Sequence, residues 1–81
     1  MITTNDMVIA HWQLGNTARN HRDSLSTDGK ALLSYALQIG DTAPNGTKVV
    51  RDYTANGKWG YKSQTTSCHV GLAARIADIV D

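Results

Sequence analysis

Three turn-forming pairs, Asp28-Gly29, Asn45-Gly46 and Asn56-Gly57, punctuate the middle of this 81-residue chain and limit what it can become. Asx-Gly pairs accept positive backbone φ at little cost, so they close tight turns between strands. The residues between them carry strand patterns. Leu25 and the run beginning at Lys30 flank the first pair as the arms of a hairpin. Leu33, Tyr35, Leu37 and Ile39 then alternate with Ser34, Ala36 and Gln38, a period of two with one apolar face. Asp41 to Thr47 holds the only proline and reads as a loop. Lys48 to Tyr53 reads as a second long strand, and Lys58 to Ser63 as a short one broken by Gly60.

The two ends read as helices. Thr3 is a candidate N-cap, with Asp6 placed to meet the positive end of a helix dipole. From Asn5 to about Asn20, Met7, Ala10, His11, Leu14, Ala18 and His21 form one stripe at helical spacing. Gly15 in mid-helix costs about 1 kcal/mol relative to alanine. Val8, Ile9 and Trp12 fall on an adjoining face. A helix apolar on two sides is normally covered on two sides, so these three are expected to form a contact surface; the alternative has Trp12 closing the edge of a small core. The last helix is expected to start at Thr65, Thr66 or Ser67 and to run towards Val80. Cys68, His69, Leu72, Ala73, Ile76, Ile79 and Val80 would share its core face. The expected fold is a single α+β domain over residues 1–81: an N-terminal helix, a three- to four-stranded antiparallel sheet, and a C-terminal helix packed on that sheet.

A chain of this size supports only a small core, and its single cysteine allows no internal disulfide. Self-association into a homo-oligomer, or docking on a partner, is a common remedy. The net charge of +1 excludes a strongly basic or strongly acidic protein. The charges are nonetheless uneven, because Lys48, Arg51, Lys58 and Lys62 face only Asp52 across residues 46–66. No apolar stretch approaches the roughly 18 residues that a membrane span needs, and no signal peptide is evident. The expected location is the cytoplasm, without a membrane partner.

The junction between the basic aromatic segment and the last helix is the most distinctive stretch. A helix start offers free backbone N–H groups and the positive dipole end. Lys58, Trp59, Tyr61, Lys62, Ser63, Thr65 and Thr66 surround it, so phosphate contacts and base stacking are open to it. The plainer reading is a hydroxyl cap with aromatics filling the sheet. His69 lies on the apolar side of its helix, where a histidine is usually a buried, hydrogen-bonded residue. Cys68 beside it points elsewhere and makes no dyad with it. Cys68, His69, His11 and His21 match no standard zinc spacing. No catalytic residues, metal or cofactor are expected, and the chain reads as no enzyme.

Asp28-Gly29-Lys30, Leu33-Ser34-Tyr35, Ile39, the Val49–Tyr53 strand and Ser63-x-Thr65-Thr66-Ser67-x-His69 together carry a resemblance. Over roughly residues 28 to 75 the chain resembles small phage and mobile-element accessory proteins. These share a Leu-x-Ser-Tyr strand, a variable hairpin and a Tyr-Ser-x-Thr-Thr-Ser-x-His helix entry. Two positions depart from the pattern: Lys62 intervenes between Tyr61 and Ser63, and Cys68 stands where a basic residue is common. The resemblance implies an accessory protein acting in the host bacterial cytoplasm, of the kind that inhibits defence machinery as anti-CRISPR proteins do. The leading expectation is therefore a non-catalytic protein that binds and inhibits a host defence or regulatory complex through protein contacts. Val8, Ile9 and Trp12 would form the contact face, with Lys58 and Lys62 as a basic rim. The alternative is a small nucleic-acid- or nucleotide-binding module using the 58–67 junction.

Overall fold

A computed structural model describes residues 1–81. Strand β1 (Ile2–Thr3) leads into helix α1 (Asn5–Leu14) and strand β2 (Thr17–Asn20). Strands β3 (Leu25–Asp28), β4 (Leu32–Ser34), β5 (Leu37–Thr42) and β6 (Lys48–Val50) follow. Helix α2 (Gln64–Ala74) and strand β7 (Ile79–Val80) complete the chain. The seven strands form one mixed sheet in sequence order. β2 to β6 are an antiparallel meander, while β1 runs parallel to β2 and β7 parallel to β6. Each end of the meander is thus a β-α-β crossover, which is how parallel neighbours must be joined.

This corrects the expected three- to four-stranded antiparallel sheet, and three local causes account for the difference. Gly15 does not sit inside a helix; it ends one. It adopts φ +81°, the left-handed conformation of a helix terminus, and Asn16 N–H returns to the His11 carbonyl at 2.8 Å. Residues 17–20 are thereby released into a strand that buries Ala18 and Asn20 and exposes Thr17 and Arg19. The expected Leu33–Ile39 strand is two strands, because Tyr35 turns the chain at φ +55° and stands exposed with Ala36. Lastly, α2 stops at Ala74, so Ile79 and Val80 join the sheet beside Val49 and Val50. The short strand expected over 58–63 is irregular chain. The Asp28-Gly29 turn does join two antiparallel strands, with the Asp28 carboxylate accepting from Lys30 and Ala31 N–H.

Both helices contribute to one core. α1 supplies Val8, Ile9 and Trp12, and α2 supplies Val70 and Ala73, against Ala18, Leu25, Leu32, Ile39 and Val50 of the sheet. Val8, Ile9 and Trp12 are therefore not the free contact surface expected of them. The outer side of α1 instead carries Met7 and Leu14 of the neighbouring stripe, 47% and 73% exposed, with Ala10 and His11 half-buried. Two residues that weighted that stripe, Ala18 and His21, lie beyond the helix. With the helix ended at Leu14, the indole and the branched aliphatics bury more apolar area than Met7, Ala10 and Leu14 would. Lys48, also buried, holds its ammonium 5.3 Å from the centre of the Trp12 ring and donates to Thr42 Oγ1 at 2.6 Å. Burial pushes that ammonium below the usual lysine range. No helix is long and apolar enough to cross a membrane.

Trp12 fits because Gly40 leaves room for it. A methyl group at position 40 would lie 2.9 Å from Trp12 Cζ2 and 3.0 Å from Leu32 Cβ. Neither neighbour is a flexible chain end, so Gly40→Ala should cost about 1–3 kcal/mol of stability, as overpacked cores do. Chemical denaturation measures this; an unchanged midpoint would mean that the indole is not held against the strand.

Candidate functional site

The two sequence motifs at Ser34 and at Ser63–His69 meet inside the molecule. Ser63 caps α2 with extended backbone, and its hydroxyl accepts from Thr66 N–H at 3.1 Å. The same hydroxyl donates to Thr66 Oγ1 at 3.1 Å. Thr66 Oγ1 lies 3.0 Å from Ser34 Oγ, which lies 2.8 Å from His69 Nδ1. Thr66 and His69 share a helix face at i, i+3, and β4 turns Ser34 inward to meet both. Ser63 donates to Thr66, and the arrangement that leaves no hydroxyl proton without an acceptor runs on from Thr66 to Ser34 and from Ser34 to His69 Nδ1. The ring proton of neutral His69 then resides on Nε2. Burial holds the imidazole below the usual histidine range, in keeping with that neutral form.

His69 is only 2% exposed, yet it lines a polar cavity of about 320 Å³. Thr3, Thr4 and Asn5 bring the start of α1 to this cavity, and Thr65 brings the first turn of α2. The segment joining β2 to β3 adds Asn20, His21, Arg22 and Ser24. Asn20 is a strut. Its Oδ1 accepts from Ser24 and Leu25 N–H, and its amide donates to Asn5 Oδ1 at 2.7 Å and Ser24 Oγ at 2.8 Å. Thr4, the observed cap of α1 in place of Thr3, accepts from Met7 N–H. No carboxylate lines the cavity, and Arg22 and His21 stand exposed there without a protein partner.

The junction residues expected to form one anion site are divided between three settings. Only Thr65 reaches the cavity, while Ser63 and Thr66 are spent on the internal chain. Lys58 pairs with Asp81 at 3.0 Å, and Lys62 lies 5.8 Å from the Tyr53 ring. Trp59, 39% exposed, leans on Tyr53 and Arg51 on the far side of that segment, and Tyr61 is exposed. Asn5, Asn20, Arg22 and Ser24 were not visible as site residues. Isolated polar residues in a turn carry no periodic signal, and their meaning comes from the helix starts packed beside them.

The remaining reactive groups are placed as follows. Ser34 and His69 form a serine–histidine pair, but Ser34 is 1% exposed and lies outside the cavity lining, so its hydroxyl cannot meet a substrate. Cys68 is exposed, which corrects its expected place on the core face of α2. Both ring nitrogens of His11 are buried without a partner, and no three His, Cys, Asp or Glu side chains gather closely enough to hold a metal ion.

The histidine shift has a definite consequence for stability. With its pKa lower folded than unfolded, His69 is protonated first in the unfolded chain as pH falls. Stability should therefore drop as pH moves from about 7 through the unfolded value of about 6.5, and level off below the folded value. Asp28, held below the ordinary carboxylate range by backbone N–H groups, acts only in the more acid window below its usual 3.8. Denaturation midpoints of wild type and His69→Gln between neutral and mildly acid pH check this. The slope should be present in wild type and flattened in the variant; equal slopes would place the titration elsewhere.

No protein-family model, curated protein or solved structure matches this chain.

Proposed function

We propose that the protein is a non-catalytic binding domain that works at the cavity between the starts of α1 and α2, holding a polar group of its ligand without transforming it. The observation that carries this reading is a buried histidine lining an otherwise polar cavity, with its outer nitrogen unpaired by any protein group. That nitrogen is not sealed in the interior, unlike those of His11, so a ligand in the cavity can pair with it. The sealed position of Ser34 supports binding over chemistry, because a hydroxyl with no access to the cavity can orient the histidine but attack nothing. Action inside a bacterial cell belongs to this proposal, through the resemblance to phage accessory proteins that the Ser34 and Ser63–His69 motifs carry.

A second reading is the phage-type inhibitor that binds a host defence or regulatory complex through protein contacts. It loses the Val8, Ile9 and Trp12 face, but one other observation favours it. β7 is an open sheet edge with Ile79 and Val80 each about half exposed, the kind of edge to which a partner strand adds.

Amide chemical-shift mapping with a panel of small polar fragments separates the two. Shifts should cluster at Thr4, Asn5, Arg22 and Thr65. Shifts confined to Val49, Trp59 and Val80 would move the site to the sheet edge and favour the inhibitor reading.

A further inference from the structure

We propose that the cavity is built for a tetrahedral oxyanion, specifically a phosphate group, held by Arg22, by His69 Nε2–H and by the first turns of α1 and α2. The inference rests on the binding role proposed above and names the chemistry that the cavity would take.

The argument comes from which polar groups are already used. Around the cavity, the strong acceptors are spent within the protein. Asn20 Oδ1 takes two backbone N–H groups, Asn5 Oδ1 takes the Asn20 amide, and Thr4 Oγ1 takes Met7 N–H. The donors remain. The Asn5 amide, the Thr65 hydroxyl, the Arg22 guanidinium and His69 Nε2–H have no protein acceptor, and the first backbone N–H groups of a helix have none within it. A site whose amide and capping oxygens are engaged while a guanidinium, an amide N–H and an imidazole N–H stay free favours an anion.

Electrostatics agree with the hydrogen-bond count. Two helix starts contribute partial positive charge and Arg22 a full one; Asp6 sits in the first turn of α1 but does not line the cavity. A helix start alone would not define a ligand site. Here His69 is the independent observation: it is 2% exposed and set in the cavity wall, and Ser34 holds its other nitrogen. The hydroxyls that cap α2 and tie it to β4 also hold Nδ1, and so fix an Nε2–H donor in the cavity wall.

The spread of the donors over the fold suits phosphate better than carboxylate. The donors come from three separate places in the fold: α1, the β2–β3 segment and α2. A carboxylate offers two oxygens in one plane, whereas a terminal phosphate offers three strongly accepting oxygens in a tetrahedral spread. Arginine matches phosphate through its planar fork. The cavity, at about 320 Å³, also leaves space for the group that carries the phosphate. That carrier is not specified by the donors, so free phosphate and an organic phosphate share the recognised chemistry.

The test is amide and imidazole nitrogen NMR of the intact chain at low ionic strength, with inorganic phosphate, a nucleoside monophosphate, the same nucleoside without phosphate, and a neutral polar fragment. Inorganic phosphate and the monophosphate should both shift Asn5, Thr65 and His69 saturably, while the bare nucleoside should not. Arg22→Gln, a change at an exposed position, should weaken phosphate binding about tenfold, the scale of one charge-assisted hydrogen bond. Equal affinity for the two phosphates would indicate recognition of the group alone; tighter binding of the monophosphate would identify an organic carrier. Either result supports the proposal. Absence of saturable phosphate shifts, or shifts unaffected by Arg22→Gln, would overturn it. If phosphate fails while the neutral fragment still binds at Asn5 and Thr65, the binding reading stands without the anion. If neither binds there, both fall.

Discussion

The hydrogen-bond chain from Ser63 through Thr66 and Ser34 to His69 is the constraint on which the upper end of this molecule depends. It joins a helix cap, a helix face and a sheet strand through one continuous run of hydrogen bonds. Buried hydroxyls left unpaired would each cost about 1–3 kcal/mol, so the members hold one another in place. The consequence is positional. α2 begins where Ser34 can meet it, and His69 can take no other orientation without losing its bond to Ser34. The His69 side of the cavity wall is therefore set by this internal requirement.

A second constraint acts at the other end of the core. Trp12 is fully buried, donates from Nε1 to the Lys30 carbonyl at 2.9 Å, and lies against Gly40. Thr42 donates to the same carbonyl, and Lys48 places its ammonium over the indole, so the β3–β4 turn, β5 and β6 converge on one side chain. This anchoring turns α1 about its axis until Val8 and Ile9 face the sheet. The same rotation leaves Met7 and Leu14 in solvent and presents Thr4 and Asn5 to the cavity. The packing of the tryptophan and the placing of the ligand-facing helix start are thus linked through one rigid helix of ten residues.

How much of this was legible in the sequence follows from the range over which each signal acts. The Asp28-Gly29 hairpin was readable, because an Asx-Gly pair acts on its own backbone. The start of α2 was nearly so, since capping hydroxyls are local; Ser63 lay only two residues before the earliest expected start. The end of α1 was misread because a mid-chain glycine is tolerated by a helix or terminates it, and the decision rests on whether Thr17–Asn20 finds a strand partner. Extending the helix to Asn20 then gave the wrong stripe the greater weight and put Val8, Ile9 and Trp12 on the outside. The edge strands Ile2–Thr3 and Ile79–Val80 are two residues each, and pairing across the sheet alone defines them. Of the cavity, Thr65 and His69 stood within a recognisable segment. Asn5, Asn20 and Arg22 did not, because they become neighbours of His69 only when both crossovers have folded.

The account as a whole turns on one proton. If Ser63, Thr66 and Ser34 pass their hydrogens towards His69, the neutral ring must carry its own proton on Nε2, facing the cavity. Long-range proton–nitrogen correlation of His69 near neutral pH reads this directly, since the two ring nitrogens differ in shift according to which is protonated. A neutral imidazole protonated at Nε2 is the predicted result. A ring protonated at Nδ1 would reverse the chain and leave an acceptor facing the cavity, which contradicts the donor-lined site.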